Sequence, residues 1–341
     1  MSWLRKALVH LALSRSDEAL IKASGGSPRV VRGMTLDPRM QFLEYQARQR
    51  TEPLSVATLR AQTEAGSEIF GGGKVSGVRV EKVYVTGRSH SVPCRLYLPT
   101  VRDNSAALMV YLHFGGGVIG SLESPHRLCS MLAKEAGAPV LSVDYRLAPE
   151  FRYPIGLDDC VAAYVWAVDN AARYGAPVGK AAVGGDSMGG HFAAIIAQEF
   201  RKTKPPVLQL LIYPAVDFLS ETPSMHDFAD AWPLTAETVD YFMKQYLPEH
   251  VDPADPRISP IRTQDLRGLA PALIYTAGFD MLLDQGEAYA HRLEEAGVKV
   301  SYTRFDSLPH GFVAFPSAAP AAEAAIRQIS RETAAALKGN R

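Results

Sequence analysis

Cysteine is scarce in this chain of 341 residues, and so is any excess of charge. The three cysteines, Cys94, Cys129 and Cys160, are odd in number and form no Cys-x-x-Cys pair. That argues against a disulfide framework and a structural zinc site, and predicts reduced, buried thiols. Lys+Arg and Asp+Glu both total 36, and no long block of one sign appears. Balance of this kind argues against nucleic acid or a bulk anionic membrane as partner of the whole chain. No apolar run approaches the ~20 residues that span a bilayer, and no repeat or low-complexity stretch is present. The N-terminus has Arg5 and Lys6 ahead of a short apolar stretch. His10 interrupts that stretch and Arg15, Asp17 and Glu18 follow at once, a pattern that reads against a signal peptide. Leu4, Leu8 and Leu11 recur at helical spacing and predict an amphipathic helix. The reading is a cytoplasmic protein without integral membrane association, with contact to a lipid phase through this helix as the alternative.

What the chain does have is 47% hydrophobic residues, enough for a large core, and 27 glycines and 23 prolines, which imply many ordered turns. Residues 1–70 read as helical, up to the breaker Gly71-Gly72-Gly73. Strands are then expected at 78–85 and 92–98, separated by the turn Thr86-Gly87-Arg88-Ser89. Strands at 107–112, 140–143, 181–183 and 208–213 follow, alternating with helices at 125–136 and 156–174 and after Ser187. This alternation predicts an α/β fold with a mostly parallel central sheet flanked by helices. The rhythm breaks over 217–255, where Thr235 can cap a short helix running to Tyr246 although Thr238 leaves the capping box incomplete. It resumes with a strand at 272–276, a helix at 285–296, a strand at 299–305 and a last helix at about 317–337.

Ser187 lies in Gly185-Asp186-Ser187-Met188-Gly189, between an apolar strand and a helix. A serine held out on a sharp strand-to-helix turn needs glycine neighbours to avoid collision, and the helix N-terminus, including the Met188 amide, can face a developing oxyanion. In an open α/β sheet, partners should follow other strands. Asp280 follows the strand ending at Thr276 and His310 follows the last strand, giving the order Ser, Asp, His. His310 would take the serine proton and Asp280 would orient the imidazole; Asp284, one turn on, is the competing acid. His113-Phe114-Gly115-Gly116-Gly117 follows the strand at 107–112, and its glycines can bring bare amides to a substrate oxygen. A phosphate-cradling loop is disfavoured because no Lys-Ser/Thr follows.

With Val118-Ile119-Gly120-Ser121, Asp144-Tyr145-Arg146-Leu147-Ala148-Pro149-Glu150, Ala277-Gly278-Phe279-Asp280 and His310-Gly311-Phe312 added, the chain resembles the bacterial hormone-sensitive-lipase-like esterases of the α/β-hydrolase superfamily, in their Gly-Asp-Ser subgroup. The resemblance implies an α/β-hydrolase core over 71–216 and 256–341, and a helical cap from residues 1–70 and the insertion 217–255. It places Gly115 and Gly116 with Met188 at the oxyanion hole, and Asp186, Phe114 and Gly117 in contact with substrate. Arg146 and Glu150 become ion-paired supports, and neither metal nor cofactor is expected.

Two departures stand out. Phe114 occupies a usual glycine position while Gly117 replaces an aromatic, and Met281 and Gln285 replace the usual Pro and Glu, which puts the support of the acid's loop in question. The Phe114 ring is expected to pack beneath the loop. The expected function is a serine carboxylesterase acting on short- to medium-chain acyl esters through an acyl-enzyme, with a long-chain lipase or amide deacetylase as alternative. A non-hydrolytic ligand-binding protein of this fold is disfavoured by the complete triad. The last strand, with Val300, Tyr302 and Phe305, has an edge through which a homodimer can form.

Overall fold

The computed structural model describes residues 3–49, 54–87 and 90–339. The N-terminal segment holds α1 (Trp3–Leu13), α2 (Asp17–Ala23), the two-residue strands β1 (Val30–Val31) and β2 (Met34–Thr35), α3 (Pro38–Arg48) and α4 (Val56–Phe70). Ser16, Asp37 and Ser55 cap α2, α3 and α4 by accepting amide hydrogens of their first turns. The small β1–β2 hairpin was not expected in a stretch read as helical. Then come β3 (Val78–Thr86), β4 (Ser91–Pro99), β5 (Leu108–Leu112), α5 (His126–Ala136), β6 (Val140–Val143), α6 (Ile155–Asn170), β7 (Ala181–Asp186), α7 (Met188–Phe200) and β8 (Gln209–Ile212). The insertion carries α8 (Pro223–Asp227) and α9 (Ala236–Tyr246), and the chain closes with β9 (Ala272–Phe279), α10 (Leu283–Glu295), β10 (Val300–Pro309) and α11 (Pro320–Leu337).

The expected helix at 156–174 is split, since α6 ends at Asn170 and a single 3-10 turn completes it. Both β7 and β10 run further than their apolar residues suggested, β7 to Asp186 and β10 to Pro309. Each therefore delivers its functional residue directly at the strand end. Of the turn at 86–89, Arg88 and Ser89 lie outside the described residues; Gly87 donates to the His90 carbonyl at 2.9 Å.

Eight strands form one sheet in the order β10-β9-β8-β7-β5-β6-β4-β3, antiparallel at β3–β4–β6 and parallel elsewhere. From β5 the chain steps outward to β6, then returns past β5 to β7 and continues to β8, β9 and β10. Right-handed crossovers then put α5 on one face and α6, α7 and α10 on the other, and α11 packs back on α5. The reversal lies between β5 and β7, which is where an open α/β sheet forms its crevice. The core is continuous, with every residue of β5, β6, β7, β8 and β9 buried. No helix among the described residues is long and apolar enough to cross a membrane.

Candidate active site

The turn from β7 into α7 holds Ser187 at φ +55°, a conformation that a residue with a side chain seldom adopts. Its neighbours explain why the conformation persists. A Cβ on Gly185 would fall on the backbone of Gly189 and on the Leu112 carbonyl, and a Cβ on Gly189 would fall on the Leu112 carbonyl itself. The elbow is thus pressed against the end of β5, from which the glycine loop grows. Ser187 donates its amide to the Ile212 carbonyl at 2.9 Å and accepts the His191 amide at 3.0 Å.

His310 stands immediately after β10. Its Nδ1 lies 2.7 Å from Asp280 Oδ2 and its Nε2 lies 3.0 Å from Ser187 Oγ. The other Asp280 oxygen accepts the Leu282 amide at 2.8 Å. Nδ1–H donating to the carboxylate leaves the Nε2 lone pair facing the serine hydroxyl, which is the tautomer that can receive its proton. Ser187 and His310 are 7% and 6% exposed, and Asp280 is 1% exposed. Asp284 is engaged elsewhere, by Arg32 at 2.7 Å and by the Ser224 amide at 2.7 Å. The departures at 281 and 285 leave the acid's loop supported. Ser224 Oγ donates to the Met281 carbonyl at 2.9 Å, and Gln285 Oε1 accepts the amides of Val216 and Asp217 at 2.6 and 2.9 Å.

Along the loop after β5, Gly115, Gly116 and Gly117 all have positive φ. Among the described residues no acceptor faces the amides of Gly115, Gly116 or Met188, so these N–H groups are available to an external oxygen. His113 Nδ1–H donates to the Phe114 carbonyl at 2.7 Å while its ring stacks on Tyr145 at 4.2 Å. Burial pushes its imidazolium pKa down to about 4, so the ring is neutral near pH 7. Phe114 is half-buried and packs against the core.

Two expected substrate contacts are corrected. Asp186 is fully buried beneath the triad, with its oxygens taken by the hydroxyls of Tyr111 and Tyr213 at 2.9 and 3.0 Å. Burial pushes its pKa up to about 6 against the pull of those hydrogen bonds. Gly117 gives its carbonyl to the Ala148 amide at 2.8 Å, and the space beside its Cα is filled by the Tyr246 ring. The Phe242 ring fills the space beside Gly116 in the same way. α9 of the insertion therefore supplies the aromatic volume that the loop itself lacks. Sequence spacing carried no signal for these rings.

Nor did it point to Arg60 on α4, which donates to the Val118 carbonyl at 3.0 Å and the Ala148 carbonyl at 3.0 Å, and pairs with Glu150 at 2.8 Å. Arg60 thereby ties the N-terminal segment to the glycine loop and to the 144–150 turn. Arg146 pairs instead with buried Asp159, at 2.9 and 2.8 Å.

A serine at a strained elbow, a histidine relayed to a buried aspartate, and free amides on adjacent loops are the parts of an acyl-transfer site. Residues 109–314 match the family described by the alpha/beta hydrolase fold. The chain is 40% identical over 303 residues to the carboxylic ester hydrolase LipN of Mycobacterium tuberculosis, covering 85% of this chain and 80% of that one. It is 39% identical to an ethyl acetate hydrolase of Pseudomonas putida, covering 74% and 82%. Its structure superposes on a hyperthermophilic esterase from the archaeon Pyrobaculum calidifontis with a TM-score of 0.79 at 37% identity, covering 87% and 96%. The chain belongs to the α/β-hydrolase family, within its hormone-sensitive-lipase-like branch of carboxylic ester hydrolases.

Proposed function

We propose that this carboxylesterase cleaves short- to medium-chain acyl esters through an acyl-enzyme on Ser187. The observation that carries the proposal is the continuous link from Asp280 through His310 to Ser187 Oγ, at 2.7 and 3.0 Å. Ser187 Oγ attacks the ester carbonyl as its proton passes to His310 Nε2, and Asp280 stabilises the imidazolium. The amides of Gly115, Gly116 and Met188 donate to the oxyanion of the tetrahedral intermediate. His310 returns the proton to the departing alcohol. Water then attacks the acyl-serine with His310 again as base, releasing the acid and restoring the serine.

Residues 1–70 and 217–255 act as the cap over this site. Support comes from the ion pairs of Arg29 and Arg48 with Asp230 and of Arg32 with Asp227, and from the two α9 rings against the glycine loop. A homodimer through β10 extends the reading, since that strand ends the sheet, although the chain's own Asp37 amide already occupies its edge at Ser307; a concentration-independent monomer mass in light scattering overturns it. Three buried, unpaired thiols suit a reducing, cytoplasmic setting.

The test is a panel of p-nitrophenyl esters of graded chain length, run with and without a serine-directed phosphonate. Turnover should peak at short to medium chains and vanish on phosphonylation. Ser187→Ala should lose ~10⁴-fold or more in turnover while keeping its circular dichroism spectrum. Near-normal turnover in that variant overturns the mechanism, and a peak on emulsified long-chain esters makes the protein a lipase.

A further inference from the structure

α1 is turned inside out for a helix on a protein surface. Its buried side is set by Leu13, with Val9 packed against the core beside it. Its outward side carries Trp3, Leu4, Leu8 and Leu11, which are 82%, 58%, 56% and 68% exposed. At 100° per residue these four fall on one arc of the helix, with Ala7 between them, while Arg5 and Lys6 flank that arc on either side. Scattered apolar residues at a surface need no explanation, but a contiguous stripe does.

Charge supplies the second observation. The whole chain is neutral, yet residues 3–16 contain Arg5, Lys6 and Arg15 and no acidic residue. All three cations are exposed, and of them the Lys6 ammonium donates to the Glu68 carbonyl of α4 at 2.9 Å. Overall neutrality thus hides a local positive excess that coincides with the apolar stripe.

Location supplies the third. His10 Nε2 donates to the Ile69 carbonyl at 3.1 Å, and its ring meets Phe70 edge-on. Phe70 packs on Phe315 at 5.8 Å, Phe315 packs on Trp232 at 5.1 Å, and the Phe315 ring borders Gly311, next to His310. α1 is therefore fixed to the same aromatic cluster that backs the loop of the base.

We propose that the outer face of α1 docks the protein on an anionic lipid surface, with Trp3, Leu4, Leu8 and Leu11 in the headgroup boundary and Arg5 and Arg15 against acidic headgroups. A helix with an apolar face bordered by cations lies in the plane of such an interface, and each cation adds to attraction by anionic lipid. A protein partner would fit the apolar stripe too, but within α1 itself the charged residues that border the stripe are cations and none is acidic.

The experiment is sedimentation of the full-length protein with phosphatidylcholine vesicles, with and without about one-third phosphatidylglycerol. Partitioning should be at least ~10-fold tighter on the anionic vesicles and should weaken at high salt. Leu8→Glu with Leu11→Glu should lose at least ~10-fold in partitioning, and Arg5→Glu with Arg15→Glu should lose the anionic preference. Turnover of a water-soluble short ester should be unchanged in both variants, which separates docking from the esterase reading. Absence of binding by the parent chain, or equal binding by parent and variants, overturns the proposal. So does a concentration-dependent dimer that the Leu8/Leu11 variant abolishes, because the stripe is then a contact between copies.

Discussion

The elbow and the segments proposed as its cap are held by opposite means. Around Ser187, backbone lies on backbone, with Gly185, Gly189 and Leu112 so close that no Cβ fits. In the proposed cap, residues 3–49 and the insertion are joined by charge. Glu44, itself buried, pairs with Arg29 and with Arg48 at 2.8 Å and accepts the Trp232 amide at 3.3 Å. Asp230 pairs with Arg29 and Arg48, each at 2.7 Å. Close packing transmits strain and tolerates nothing, whereas part-exposed ion pairs are worth little each and weaken with salt. On the proposed reading, a catalytic geometry that must not vary is built beneath a cap whose attachment can be tuned.

The sharpest break in this comparison is at the acid. Asp280→Asn should cost ~10⁴-fold in turnover, since an amide selects the wrong imidazole tautomer. Asp284→Asn should stay within ~10-fold, because it loosens only the Arg32 and Ser224 contacts. Steady-state kinetics of the two variants decide the matter, and a reversed ranking means the wrong acid was chosen.

Next in size is Gly189→Ala, whose methyl group would lie on the Leu112 carbonyl. It should cost more than ~4 kcal/mol or prevent folding outright. Urea denaturation monitored by fluorescence would expose the error if stability changed by less than ~1 kcal/mol.

Acid separates the two regions further. Burial holds the imidazolium pKa values of His113 and His191 at about 4 in the folded chain, against 6.5 ordinarily. The unfolded chain therefore binds protons that the native state refuses, and stability falls between pH 6.5 and about 4 by ~3 kcal/mol for each histidine. Asp186 acts in the other direction. Its folded pKa of about 6 lies above the ordinary 3.8, so the native state binds the extra proton and gains stability as pH falls through that window. Two histidines outweigh one aspartate, and the net change is a loss. Asp186→Asn should remove the offset and make the acid loss steeper, read as urea midpoints across that range; a shallower loss contradicts the assignment.

The smallest effect belongs to the cover. Asp230→Asn should cost ~1 kcal/mol, raise KM more than it lowers kcat, and reproduce in dilute buffer what high salt does to the parent chain. A variant equally sensitive to salt would show that the network holds nothing.

Much of the centre was legible beforehand because its chemistry is local. The nucleophile, acid and base each sit beside a strand end, and alternating apolar runs betray those strands. Asp186 and Gly117 were misplaced for a related reason. Adjacency along the chain says that a residue is near the site, not which way its side chain or its empty side points, and here Tyr111, Tyr213 and Tyr246 decide that. Arg60 with Glu150, or Phe242 with Gly116, are partners far apart in sequence with no periodic signature. The β1–β2 hairpin escaped because two-residue strands are too short to display a period of two.

The fit of Phe242 and Tyr246 against Gly116 and Gly117 makes the cover a clutch for the chemistry. With those rings seated, the loop cannot swing toward α9, and the contact of Gly189 with β5 bars it from the other side. Unseated, the serine, histidine and aspartate keep their alignment while the donors for the oxyanion lose their backstop. Catalytic rate then reports whether the cover is engaged, and under mild heat or denaturant it should fade while the spectroscopic signature of the sheet still reads as native.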